Sequence, residues 1–165
     1  MTDAPARHES LGPVCFVSDF RYLDRPFADL APVLMDPQAG WLHALDAPAG
    51  GAGRRSAVVR VGPGRRKPRI PVTVVAGVPR ARTGAVHVPL RWAPVSHARM
   101  LPELDGDLEL SRVDRTTCRI GLLGRYEAPM GALGRGLDRV ALHGVAESSV
   151  RDFLHRVELV LVGGT

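Results

Sequence analysis

The stretch from Gly124 to Val162 constrains this chain most, because a glycine-punctuated turn, Gly124 to Gly134, feeds the one segment able to form a long helix. Everything before it reads as strands and short helices. A lone helix after a run of strands hides its apolar side when the sheet wraps round it, and this leaves room for a pocket between the two. At about 100° per residue, Leu133, Leu137, Val140 and Ala141 form one stripe. Leu142, Ala146, Val150, Phe153, Val157 and Val160 form another on roughly the opposite side. The stripes cross near Gly144, where a glycine costs a helix about 1 kcal/mol relative to alanine. A bend, close packing or approach of a ligand would explain it, so the expected pocket opens near this crossover, beside the strand that carries Tyr126.

The remaining elements follow from periodicity. In Val14 to Leu23, Val14, Phe16, Phe20 and Tyr22 share one face while Asp19 and Arg21 share the other, the pattern of a half-buried strand. Asp24-Arg25-Pro26 offers a helix entrance, with Asp24 near the cap and Pro26 in the first turn. Phe27, Leu30, Ala31 and Leu34 continue it to residue 35, and a second short helix carries Gly40, Trp41, Ala44 and Leu45. Residues 47–55 form a glycine-rich connection without a phosphate-loop ending. Strands are expected at 56–61, 69–76 and 85–93, with a turn at Gly62-Pro63-Gly64 and an edge or bulge at Pro89. Asp105-Gly106 is expected to bend the chain tightly before a strand from Leu108 to Val113. Asp114-Arg115 then turns it into a strand from Thr116 to Tyr126, with Cys118, Ile120, Leu122, Gly124 and Tyr126 on one face.

With 165 residues and 45% of them hydrophobic, the chain suits one domain, 12–165, behind a flexible tail at 1–11. The N-terminus lacks the apolar run of a secretory signal, and no apolar run is long enough to span a bilayer, so a cytoplasmic protein is expected. Cys15 and Cys118 stand apart from any metal spacing, which reads as free buried thiols and no metal site. A net charge of +5 and a pI near 10.2 invite a nucleic-acid partner. Arginines cluster around the 54–69 turn, but Lys67 is the sole lysine and arginine is spread through the chain. Charge balance of that kind speaks to solubility rather than function, so nucleic acid is disfavoured.

The order strand, two short helices, antiparallel strands and a long C-terminal helix resembles the START-like helix-grip (SRPBCC) superfamily, which includes polyketide cyclases and lipid-transfer proteins. Val88-Pro89-Leu90-Arg91-Trp92, Leu101 to Leu110, Gly124 to Gly131, Leu137-Asp138-Arg139 and Val150 to Leu154 look like its small actinobacterial members. The resemblance runs over about residues 13 to 160. It implies an α+β fold in which a curved antiparallel sheet of about six or seven strands grips the long helix around a pocket for an apolar ligand.

Polar candidates for acid–base work in such a pocket are His87, Arg91, His97, Glu103, Arg125, Tyr126 and His143. His87 and Arg91 alternate with the apolar side of their strand, so they read as outward and solvated. Tyr126 differs, since its face is otherwise apolar. His143 with Glu147, and Asp152 with Arg156, read as exposed helix pairs. No nucleophile–base or metal-ligand spacing appears, so metal and nucleophilic catalysis are disfavoured.

The resulting expectation is a binder of a small hydrophobic molecule (a lipid, polyketide or related metabolite), acting as monomer or homodimer and without a cofactor. Its lining would be Phe16, Phe20, Trp92, Ile120, Leu122, Tyr126, Val140, Val150 and Phe153. Enzymatic activity is left open, the alternative being a cyclase/aromatase-like enzyme that uses Tyr126, Arg91 or His87.

Overall fold

The computed structural model describes residues 14–36, 41–45, 56–61, 70–95, 103–127 and 139–163, with the side chains at 43, 56–61, 70 and 139–142 outside that description. The expected tail at 1–11, the connections at 47–55 and 62–69 with their arginines, His97, and the turn and first stripe at 128–138 fall outside the described residues.

The described elements are β1 (Val14–Leu23), α1 (Phe27–Met35), α2 (Trp41–Ala44), β2 (Ser56–Val61) and β3 (Ile70–Ala76). They continue with β4 (Arg80–Arg82), β5 (Ala85–Pro94), β6 (Leu104–Arg112), β7 (Cys118–Glu127) and the long helix α3 (Arg139–Gly163). The strands form one curved antiparallel sheet in the order β1-β7-β6-β5-β3-β2, with β4 beside β5. α3 lies across its inner face against β1, β2 and β7, α2 packs on α3 and β2, and α1 covers part of β5 and β6. This is the sheet, long helix and pair of short helices that the element order implies.

Register fixes which residues meet on the inner face. Cys15, Tyr126, Leu104, Trp92 and Val74 form one row across the strands, and Val17, Gly124, Gly106 and Leu90 form the next. Leu122 with Leu108, and Ile120 with Leu110, follow. Against these rows α3 buries Val150, Phe153, Leu154, Val157 and Leu161. At the contact the Phe153 ring meets the Trp92 indole edge-on, with centroids 5.7 Å apart, a geometry favoured by the ring quadrupoles. Beyond β1, α1 buries Leu30 and Leu34, spaced one helical turn apart, and Arg112 lies 5.3 Å over the Phe27 ring. No side chain caps α1: Pro26 takes the cap position, so the entrance expected from Asp24 is replaced by Pro26 itself.

Three expectations are corrected. First, β1 is turned over. Phe16, Phe20 and Tyr22 point away from the helix and are 64%, 54% and 59% exposed, while Val17 and Leu23 are buried. The charged face turns inward because α3 supplies partners: Arg21 pairs with Glu158 at 3.4 Å and Asp19 with Arg151 at 3.5 Å. Second, Asp105-Gly106 makes no turn, since β6 runs unbroken from Leu104 to Arg112. Gly106 pairs with Gly124, and a Cβ on Gly106 would come within 2.7 Å of the Leu123 carbonyl oxygen, so the glycine serves backbone approach instead. Third, Gly144 packs against nothing: a Cβ there would meet no atom within 4 Å.

Pro89 does sit at a bulge. Three residues, Gly77, Val78 and Pro79, oppose two, Val88 and Pro89, between the β3 and β4 ladders. The Gly77 N–H donates to the Pro89 carbonyl at 2.7 Å, so the missing proline N–H falls where pairing is already interrupted.

The glycines give opposite expectations. Gly144→Ala should raise the free energy of unfolding by about 0.4–1 kcal/mol, because the methyl enters open space and the helix gains propensity. Gly106→Ala should lower it by about 1–3 kcal/mol through overpacking. Urea midpoints of the two variants against the parent protein check both signs.

A Tyr–His–Glu chain where the helix crosses the sheet

Tyr126 stands near the end of β7 on the inner face, opposite Cys15 of β1 and Leu104 of β6. It is 3% exposed, so its phenol needs a partner inside the protein. His143, in the second turn of α3, supplies it: the Tyr126 hydroxyl lies 3.1 Å from His143 Nδ1. The other imidazole nitrogen, Nε2, lies 3.3 Å from Glu147 Oε1 one helical turn on. Burial, with Cys15 and then the Glu147 charge adding to it, pushes the Tyr126 ionisation up to about 12. The phenol is therefore neutral at physiological pH, and the chain runs from a buried hydroxyl to a carboxylate that is half exposed.

This cluster joins residues that the sequence separates. Tyr126 was singled out by its apolar strand face, and the His143–Glu147 spacing is an observed helix pair. What sequence periodicity missed is that the pair's imidazole reaches back to Tyr126, and that Cys15 lies beside it. The one signal available is the crossover of apolar stripes near Gly144, which puts that turn of the helix beside β7.

The other expected residues are placed as follows. Trp92, Ile120, Leu122, Val150 and Phe153 lie between sheet and α3 as members of the buried core. Val140 sits in the first turn of α3, its side chain outside the description. Phe16 and Phe20 are on the outer face of the sheet and cannot line a space facing the helix. His87 and Arg91 are also outside, as their alternation with the buried Val86, Val88, Leu90 and Trp92 dictates. His87 faces Glu109 at 3.8 Å, and Arg91 bonds Glu103 at 2.6 Å and approaches Asp105 at 3.7 Å. Arg125 points outward beside Phe16. The acid–base roles considered for His87 and Arg91 on an inner ligand are thus removed by the strand register.

Two concavities among the described residues are polar or open. On the outer face, Phe16, Val75, Pro89, Leu123, Arg91 and Arg125 border a groove of about 490 Å³. Beside α2 and α3, a cleft of about 640 Å³ is lined by Arg21, Arg151, Asp152, His155 and Arg156 among others. Its three guanidinium groups each face a carboxylate, Glu158, Asp19 and Asp152 respectively, so it offers no excess positive charge. Among the described residues no three His, Cys, Asp or Glu side chains gather as metal ligands, and no helix is long and apolar enough to cross a membrane.

No family model and no curated protein matches the sequence. Solved structures do. The Zhui aromatase/cyclase from Streptomyces sp. R1128 superposes with a TM-score of 0.60 at 16% identity, over 91% of this chain and 94% of that one. A conserved protein from Geobacillus kaustophilus gives 0.56 at 12% identity, covering 89% and 95%. Norcoclaurine synthase from Thalictrum flavum, in complex with dopamine and hydroxybenzaldehyde, gives 0.52 at 9% identity, covering 100% and 96%. The chain has the helix-grip fold that these structures share. Identities this low carry the fold alone, and the chemistry rests on this chain's own residues.

Tyr126 gives a pH signature. A spectrophotometric titration of the folded protein should show a phenol ionising near pH 12, absent from Tyr126→Phe. Because the folded value lies above the ordinary 10.0, the associated stability is complete below about pH 10 and is lost as pH rises toward 12. The alkaline fall in the urea midpoint should therefore be shallower in Tyr126→Phe.

Proposed function

We propose that this protein binds a small hydrophobic molecule, a lipid, polyketide or related metabolite, between the sheet and α3, with the Tyr126–His143 pair as its polar anchor. The observation that carries the reading is that pair itself, a hydroxyl–imidazole contact of 3.1 Å set beside the otherwise apolar inner face of β7. Binding sites for such molecules are mostly apolar with a few placed polar groups that fix orientation. The fold shared with an aromatase/cyclase and with norcoclaurine synthase supports it. Cys15 and Cys118 are not joined in a disulfide, which suits the reducing cytoplasm.

A second reading, a cyclase/aromatase-like enzyme, draws on the extension of the pair to Glu147. A carboxylate behind an imidazole behind a phenol can accept a proton at one end and delocalise the resulting charge at the other. Of Tyr126, Arg91 and His87, Tyr126 is the one on the inner face.

Native mass spectrometry of the purified protein, with thermal-shift screening across lipids and aromatic polyketides, tests binding. A co-purifying apolar mass, or a rise in Tm with ligand concentration, is expected. A bare protein mass together with no shift across the panel would overturn the reading. Tyr126→Phe should weaken any hit by about 1 kcal/mol, roughly fivefold in Kd.

A further inference from the structure

The polar contacts of His143 have a direction, and that direction selects the ligand's functional group. A carboxylate only accepts, so the 3.3 Å contact of His143 Nε2 with Glu147 Oε1 places the imidazole hydrogen on Nε2. In a neutral imidazole the other nitrogen is then bare. Nδ1 accepts, and the Tyr126 hydroxyl 3.1 Å away donates to it. The phenol has a single hydrogen, so its oxygen is left to accept. Both contacts of the imidazole thus point toward Glu147, and the phenol oxygen at the inner end is a hydrogen-bond acceptor.

We propose that Tyr126, oriented through His143 by Glu147, makes the site selective for ligands that present a hydroxyl donor, a phenol or enol, over the same skeleton bearing an ether. The inference rests on the ligand-binding reading above and adds the functional group. In this scheme Glu147 touches no ligand. It is a positioning residue that sets the imidazole tautomer, and the tautomer sets which way the phenol points.

The test is a comparison of two- and three-ring aromatic alcohols with their methyl ethers, in mildly alkaline buffer where an imidazole is neutral. The readout is the ratio of Kd values within each pair, followed by calorimetry or Trp fluorescence. The parent protein should prefer the alcohol about tenfold, the size of one hydrogen bond made or left unmade. Tyr126→Phe should bring the ratio to about one. Glu147→Ala, at a solvent-exposed helix position, should keep the fold and lower the ratio at least about threefold, because Nδ1 can then carry the hydrogen and donate to the phenol. Glu147→Gln should retain the preference, since its amide oxygen still accepts from Nε2–H. A purely structural role for Glu147 would change both affinities together and leave the ratio alone, which overturns the proposal. Equal binding of alcohol and ether by the parent protein also overturns it while leaving the ligand-binding reading standing. If neither class binds at all, that reading falls and takes this one with it.

Discussion

The structure depends on one contact above the others: the buried stripe of α3, from Val150 to Leu161, laid across the inner face of the sheet. Five apolar side chains of this helix are at most 4% exposed. At about 1.5–3 kcal/mol for each fully buried large side chain, their burial is on the order of 10 kcal/mol, as large as the whole net stability of a domain. The helix would not persist as an isolated amphipathic segment of this composition, and the sheet would have no second layer without it. Trp92 against Phe153 marks the centre of that contact.

The helix also organises charge. Its flank meets the inner face of β1 with Arg151 and Glu158, which take up Asp19 and Arg21. With their ionic partners there, these two residues are tolerated on the covered side of an edge strand, and Phe16, Phe20 and Tyr22 are left on the outer side. Half-exposed ion pairs contribute modestly to stability. Their larger consequence is orientation, because a strand has only two faces and fixing one fixes the other. On that outer face Phe20 and Tyr22 meet edge-on at 5.6 Å, and Arg119 lies over the Phe20 ring at 5.9 Å, so the aromatic side chains find partial cover in one another.

The Tyr126–His143–Glu147 cluster sits at the start of the same helix, ahead of its buried stripe. There α3 presents His143 and Glu147 instead of apolar side chains, and β7 presents Tyr126 in the row after the Gly124–Gly106 pair. The glycines let the backbones of β6 and β7 approach, and the Leu104 side chain fills the space over Gly124, within 3 Å of where a Cβ would be. Tyr126 is therefore held by packing on both sides while its hydroxyl is aimed by one hydrogen bond, which is the arrangement that preorganised sites use.

Sequence alone determined the elements. Hydrophobic alternation located β1, β2, β3, β5 and β7 to within a few residues, turn chemistry located the Asp114 bend, and helical spacing found α1, α2 and, of the buried stripe of α3, Val150, Phe153 and Val157. These are local regularities of a backbone with a period of two or near 3.6, and they can be read along one strand or helix at a time. The same reasoning flagged Tyr126 and paired His143 with Glu147. Tertiary structure decided what depends on neighbours distant in sequence: the three-residue β4 beyond the bulge, the unbroken run of β6 through Gly106, and the reversal of β1. It also decided the meeting of Tyr126 with His143, since a strand's alternation says which residues share a side but not which side another element will cover. For β1 that choice was made by Arg151 and Glu158, more than a hundred residues later in the chain.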